Sequence, residues 1–457
     1  MISVNWPFSP RKFPFFYGWV IWGLSTLGIL FSIPGQTMGL AVFTNSFIEV
    51  LGLSRTELSL AYLVGTIGSS LFLARAGRWY DLFGGRVMIT LSSIVLSLMI
   101  LYISFVDILS IYLGGSVFVS FFLIMIGYFG VRFFGQGVLT SCSRNVLLLW
   151  FVKKRGLVGG IRNVFVSLGF SLAPLFLAGL ISIYDWRESL WILAAIGGIG
   201  FSLMAFIFIR DNPESCDLKA DGISSESIEE VPEEVKSISL REVKRNPVFW
   251  IYSLSLSMHA LFGTALVFHI ISIFDEVGKS QAEAFSYFIP AAIFSTLSNL
   301  LASWVADKIT LKPILILMLL SFCLGSFGFI NLEKDSGFWI LAFGFGVGGG
   351  LWGVLSNLTF IRFFGPKHLG EISGFSSSLT VFASAIGPAA FSVGFDLFGN
   401  YAFPAQICLV FLVILLFFSI FLDDKEIKRR SLIEDRNFKP NLIAITNRVE
   451  SSIGRQI

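Results

Sequence analysis

The sequence predicts an all-helical membrane protein built as two six-helix bundles. Three observations lead there: an apolar composition, about twelve apolar runs of membrane-spanning length, and one charged stretch that divides those runs into two related blocks. Of the 457 residues, 55% are hydrophobic and only 14% are charged, with a mean hydropathy of +0.79. Soluble domains carry roughly a quarter charged residues. The 50 Phe and 44 Gly suit helices that turn bulky faces to lipid and small faces to one another.

A spanning helix needs about 20 mostly apolar residues, because every backbone amide must be satisfied where no water is available. Twelve such runs occur, over residues 17–46, 57–76, 86–106, 117–148, 157–182, 189–209, 248–273, 283–304, 313–331, 337–362, 370–394 and 402–422. They are called spans one to twelve below. The apolar stretch of span one is too long for a cleaved signal peptide and has no small-residue cleavage site after it.

Lys and Arg set the orientation, since cytoplasmic loops collect them in excess. With the N-terminus inside, Arg55, Arg187, Lys279 and Lys334 fall in outer loops and Arg132 and Arg144 within a span, leaving the rest of the 33 basic residues to cytosolic segments. An even number of spans then places both termini in the cytosol. The net charge of +3 is thus a topology signal and gives no reason to expect nucleic acid. The cysteines Cys142, Cys216, Cys323 and Cys408 form no CxxC and no outer-face pair, so neither a disulfide framework nor a thiolate metal site is expected.

Ten acidic residues lie between Arg210 and Asn246, beside a Ser-rich stretch at 222–227, which reads as a solvated cytosolic linker. The expected organisation is a first bundle over 1–210, the linker over 211–247, a second bundle over 248–423 and a charged cytosolic tail over 424–457. The halves echo each other: Gly156, Gly160 and Pro174 recur as Gly370, Gly374 and Pro388 at a constant offset of 214 residues. Upstream, 145–151 matches 357–363, and a weaker echo links Gly77 to Asp81 with Ser303 to Asp307. Duplicated bundles of this kind are the pattern of transporter folds.

These residues also carry a family resemblance. The loop Gly77-Arg-Trp-Tyr-Asp81-Leu-Phe-Gly84-Gly85-Arg86 resembles the G-x-x-x-D-R-x-G-R-R signature of the major facilitator superfamily, departing from it at Leu82 and Gly85. Arg132-Phe-Phe-Gly135-Gln136-Gly137 is similar to the R-x-x-x-G motif of span four, and Gly160, Gly169, Ala173 and Pro174 to the G-x8-G-x3-G-P motif of span five. Tyr17-Gly-Trp, Trp150-Phe151 with Arg155-Gly156, and Asp185-Trp-Arg resemble bacterial oxalate/formate antiporter-like and monocarboxylate transporter-like members. The resemblance implies the major facilitator fold, alternating access, and a small monocarboxylate or dicarboxylate as solute. Spans eight and eleven, where such carriers hold cationic side chains, contain no interior Arg or Lys.

Several side chains are candidates for the transport cavity. Arg132, well inside span four, is read as an anion ligand or as a structural arginine capped by carbonyls and by Gln136. His259 in span seven is read as a solute or proton contact or as a packing residue. The break Pro34-Gly35-Gln36-Thr37 in span one either lines the cavity or is a packing kink. Glycine-rich span ten reads as close-packing, with Trp352 and Asn357 as weaker cavity candidates.

For gating, the resemblance implies that Asp81, with Gly77 and Arg86 in the same loop, contacts a basic residue at the end of span four, here Arg144, and the positive N-terminus of span eleven near Gly370. Arg144 also reads as a snorkelling anchor. Asp307 with Arg362 is the pseudo-symmetric pair. Pro34, Gly160, Gly169, Pro174, Gly374 and Pro388 are the helix-bending candidates.

Every Asp and Glu falls in a loop, a tail or a span end, which disfavours proton coupling through a buried carboxylate. An enzyme is a remote alternative, because HExxH, paired intramembrane carboxylates and a P-loop are all missing from the sequence. The expected function is a secondary transporter of an organic anion. The alternative is a carrier or exporter of a neutral or amphipathic solute, including drug efflux. No cofactor or metal is expected. The expected partners are the solute and the lipid bilayer, in a monomer of the cell membrane, the inner membrane in a Gram-negative bacterium.

Overall fold

The computed structural model describes residues 6–222 and 238–422 and is helical throughout its elements. Its most regular helices are Pro247–Glu276, Lys312–Ile330, Asp335–Phe364, Leu369–Phe398 and Ala402–Phe421, in the places of spans seven, nine, ten, eleven and twelve. Span eight is Gln281–Ser286 followed by Phe288–Ala306. Among the described residues, ten helical stretches are long and apolar enough to cross a membrane.

Two of those stretches are broken. Leu73–Ser104 contains Gly84 at φ 82°, and Arg155–Ala195 contains Asp185 at φ 66°, each a left-handed residue that interrupts the helix. At Gly84 the missing Cβ matters twice, because the Asp211 carboxylate occupies the place a side chain would take. Divided at these points, the helices separate span two from three and span five from six where the sequence expects loops. Span two is longer than expected, since Arg55–Ser70 is followed by helix from Leu73 up to the break.

Span one is the least regular. Helix Gly18–Leu30 gives way to a 3-10 turn at Ile33–Gly35, and short helices Thr37–Ala41 and Thr44–Leu51 follow. Pro34 has no N–H to continue the ladder. Side chains brace the break: Ser32 Oγ donates to Ile29 O (2.6 Å), Gln36 Nε2 donates to Ser32 Oγ (3.0 Å) and to Thr140 Oγ1 (3.3 Å), and Thr140 donates to Ser32 (3.0 Å). Span four receives this break through a π-helical segment, Arg132–Leu139, lying between Val117–Val131 and Thr140–Trp150. Gly35 and Gly135 let the two backbones touch there.

Apolar side chains collect into two cores. One runs from Tyr17 to Cys216 through Phe47, Ile89, Leu139 and Trp150, and the other from Leu240 to Leu422 through Phe249, Phe262, Phe322 and Leu355. Glycines of span ten sit where another helix leaves no room for a Cβ: Gly344 against Gly325, Gly348 against Phe322, and Gly350 against Ser295 and Ser298. They serve close packing.

The charged linker departs from its reading as a solvated strap. Its first residues are docked: Asp211 accepts from the Arg86 amide (2.7 Å), Asp221 from the amides of Val152 (3.0 Å) and Lys153 (2.8 Å), and Cys216 is buried. Free backbone amides at the ends of neighbouring helices take these carboxylates. Ser239 and Glu242 form a capping box at the other end. The Ser-rich middle and the tail from residue 424 lie outside the described residues.

Candidate functional site

A cavity of about 360 Å³ lies between the two halves. Spans one, four and five contribute Gln36, Gln136, Thr140, Arg144, Arg162 and Asn163 to its wall; spans eight, ten and eleven contribute Ser295, Asn299, Trp352, Ser356, Asn357, Ser373, Ser376 and Thr380. Hydroxyl and amide groups make up most of its polar side chains, beside apolar ones such as Ile29, Leu73, Phe170, Leu256, Phe360 and Val381. Among the described residues, Arg144 and Arg162 are its charged members, and none is acidic.

Arg162 is the centre of the arrangement. It is 1% exposed, and its Nη2 donates to Asn357 Oδ1 at 2.8 Å, joining the first half to the second. Asn357 Nδ2 donates in turn to Gly353 O (2.8 Å) and to Asn163 Oδ1 (3.4 Å). Two guanidinium nitrogens of Arg162, Nε and Nη1, have no protein partner among the described residues. Arg144 lies within electrostatic reach of Arg162. Two like charges held together without a carboxylate are unfavourable in a low-dielectric setting unless an anion joins them.

Arg162 is a correction to the charge count, which places it among the cytosolic residues. It stands two turns into the helix that starts at Arg155, in a buried stretch. Asn163, Asn299 and the serines of span eleven are also absent from the sequence-level candidates. The repeat contains a signal for them: at the offset of 214 residues Arg162 and Asn163 correspond to Ser376 and Ser377, all four lining the cavity.

The sequence candidates divide. Gln36, Gln136, Trp352 and Asn357 line the cavity. Trp352 is fixed by its indole N–H on Leu256 O at 3.1 Å. Arg132 is buried away from the cavity wall, its Nη1 donating to Gly35 O (3.2 Å) and Thr37 Oγ1 (3.4 Å), with its guanidinium 5.2 Å from the Tyr62 ring centroid. Thr37 shares a hydrogen bond with the Tyr62 hydroxyl at 2.8 Å. Both residues thus brace the break in span one rather than line the cavity. His259 is packed flat on Phe322 (4.7 Å) and tilted against Trp352 (5.2 Å), behind the cavity wall.

At the end of the bundle that carries the basic loops, the halves are latched twice. Asp81 accepts from the backbone amides of Gly370 (2.8 Å) and Glu371 (2.9 Å), the first residues of span eleven. Asp307 accepts from the amides of Gly156 (2.7 Å) and Leu157 (2.9 Å), the first residues of span five. Carboxylates at helix N-termini gain from both the free amides and the helix dipole. Gly77 and Gly370 make the first latch possible, because a methyl group on Gly77 would overlap the Gly370 carbonyl; Gly374 meets Leu73 O in the same way.

The expected Asp81–Arg144 pair is not formed. Asp81 spends its oxygens on the two amides, and Arg144 lies in the cavity wall instead. Arg362 does pair with Asp307 at 3.1 Å and also caps Ala306 O (2.6 Å). Arg86 is not part of either latch: it donates to Phe206 O (2.7 Å) and Trp6 O (3.0 Å) and anchors the N-terminal segment. Of the bending candidates, Gly160 packs on Ser303 and Gly169 on Leu30, while Pro174 and Pro388 lie inside continuous helices. His269 Nε2 lies 2.9 Å from the carbonyl oxygen of Pro388, bridging spans seven and eleven.

Two related helical halves around a central cavity, joined by paired carboxylate contacts at one end, are the architecture of a two-bundle membrane carrier. The chain belongs to the Major Facilitator Superfamily, whose family model matches residues 25–388 and 291–449. It is therefore a multi-pass integral protein of the cell membrane and a transporter rather than an enzyme. Among curated relatives it is similar to Multidrug resistance protein 2 of Bacillus subtilis (strain 168), 23% identical over 372 residues, 78% of this chain and 84% of that protein. It is also 25% identical over 222 residues to the Hexuronate transporter of the same organism, spanning 48% of this chain and 47% of that one. Solved structures share the fold: the proton:xylose symporter XylE bound to 6-bromo-6-deoxy-D-glucose (TM-score 0.65, 15% identity, 88% of this chain and 95% of that one). A bacterial homologue of the iron transporter ferroportin in its outward-facing state is alike too (TM-score 0.63, 14% identity, 88% and 98%).

Proposed function

We propose that this chain is a secondary active transporter that carries a small organic anion, with Arg162 and Arg144 holding the negative group. One observation carries the reading: two guanidinium groups line a cavity whose wall, among the described residues, contains no carboxylate. A cation placed there would be repelled, and a neutral solute would leave the pair uncompensated. The partial likeness to a hexuronate transporter agrees with an anionic solute.

The twelve-span topology with both termini in the cytosol belongs to this reading. In that orientation the two latches shut the cytosolic side in this conformation. Release of Asp81 and Asp307 from the helix N-termini then accompanies opening to the cytosol. The carrier acts as a monomer, and the lack of a carboxylate among the described residues of the cavity wall argues against proton coupling through a buried acid.

A second reading, export of an amphipathic solute, is favoured by the aromatic faces of Trp352, Phe170 and Phe360 in the cavity wall and by the likeness to a multidrug resistance protein. A proteoliposome flux screen separates the two. Monocarboxylates, dicarboxylates, amino acids and hydrophobic cations are offered with and without a pH gradient. Flux of a carboxylate, insensitive to a protonophore and lost in Arg162→Gln, supports the first reading; flux confined to hydrophobic cations overturns it.

A further inference from the structure

Residues of the cavity wall retain unmet hydrogen-bonding capacity of both signs. Besides Nε and Nη1 of Arg162, the carbonyl oxygens Asn299 Oδ1 and Gln136 Oε1 have no donor among the described residues. Asn299 is only 7% exposed, and its amide is oriented by Nδ2 donating to Gly350 O at 2.9 Å, which leaves Oδ1 as an acceptor. This side chain is linked to the arginine through its neighbours. Gly353 is flanked by the amide nitrogens of Asn299 and Asn163, and Asn163 is bonded through Asn357 to Arg162.

A simple carboxylate brings only acceptors. It satisfies the free nitrogens of Arg162 and leaves Asn299 and Gln136 as they were, and a buried acceptor without a donor is costly. Once a solute displaces water from these oxygens, the replacement donors must come from the solute itself. An ammonium group is a poor source, because it would bring a positive charge to a wall that already has two and, among the described residues, no acid. Hydroxyl groups carry no charge, donate to the two amide oxygens, and accept from or donate to hydroxyls such as Ser295, Ser356 and Thr380.

We propose that the solute is a hydroxylated carboxylate, its carboxylate on Arg162 and Arg144 and its hydroxyl groups donating to Asn299 and Gln136. This rests on the organic-anion reading and narrows it to one chemical class. Asn299 and Gln136 are then the residues that distinguish a hydroxy acid from a plain acid of equal length.

The test uses the purified full-length protein and chain-matched probes: tartrate against succinate, galactarate against adipate, and sorbitol as a neutral polyol, with affinity read by isothermal titration. The hydroxylated member of each pair is expected to bind at least about tenfold more tightly, as a site with buried acceptors requires. Asn299→Leu and, independently, Gln136→Leu are expected to shrink that ratio while leaving succinate and adipate nearly unchanged. Arg162→Gln is expected to weaken both members of each pair. Size-exclusion profiles identify any variant that fails to fold, and the other amide variant then carries the test.

Equal affinities within each pair would overturn the hydroxy-acid inference and leave the anion reading standing. So would a tenfold preference that survives in a folded Asn299→Leu or Gln136→Leu protein. Sorbitol binding as tightly as galactarate would overturn the anion reading itself. Binding of no carboxylate, hydroxylated or plain, would remove both.

Discussion

The two halves of this carrier match in their latches and differ in their cavity chemistry. At the end that carries the basic loops, Asp81 takes the first amides of span eleven and Asp307 those of span five, so each half holds the other by the same device. In the cavity the repeat positions diverge. Arg162 corresponds to Ser376 and Arg144 to Ser356, so all the positive charge comes from the first half and hydroxyls stand in the second. On the proposed function, duplication supplies the moving parts, and departure from duplication supplies the selectivity.

That difference gives the largest expected effect. Arg162→Gln should lower organic-anion flux in proteoliposomes by about two orders of magnitude, the consequence of losing a buried charge partner worth about 2–5 kcal/mol. Its counterpart Ser376→Ala should cost less than about tenfold, since a neutral hydrogen bond contributes about 0.5–1.5 kcal/mol. Comparable losses at the two positions would show that the halves share the substrate equally.

The latches are next. Asp81→Asn removes the charge from two hydrogen bonds, each contributing about 1.5–3 kcal/mol net, and should shift the conformational balance toward the inward-open form. Cysteine accessibility from the cytosolic side would report it. Asp307→Asn also strands Arg362, which otherwise sits 3.1 Å from the carboxylate, so it should lower thermal stability more than Asp81→Asn does. If the order of the two melting temperatures were reversed, the Arg362 pair would not be what separates the latches.

Arg144→Gln should have a smaller effect on flux than Arg162→Gln, because Arg144 is only part-buried and keeps solvent contact. The smallest effect on transport belongs to Arg132→Gln. Its guanidinium is bound to Gly35 O and Thr37, so the variant should melt at a lower temperature while its KM for a carboxylate stays within about threefold.

Much of this was legible before any coordinates. The apolar runs, the offset of 214 residues and the Asp81 loop follow from the length of a bilayer crossing and from punctuating residues with few alternatives, and they located both helix-breaking positions to within a loop. What could not be read is which face of each helix meets the cavity. Arg132 stood out because it is far from either end of its span, yet depth in the bilayer says nothing about facing, and a break in span one met it with a carbonyl. Arg162 was hidden by the opposite circumstance: it lies near the basic loop at 153–155, so a count by position merges it with its neighbours. The docked start of the linker was hidden too, because Asp211 and Asp221 look like solvated charges until the helix ends that take them are in place.

The most direct test of the central claim is organic-anion counterflow in proteoliposomes, with Arg162→Gln and Arg132→Gln measured side by side at equal amounts of folded protein. The account predicts carboxylate accumulation by the native chain and by Arg132→Gln, and its loss in Arg162→Gln. Carboxylate flux that survives Arg162→Gln but disappears in Arg132→Gln would contradict it.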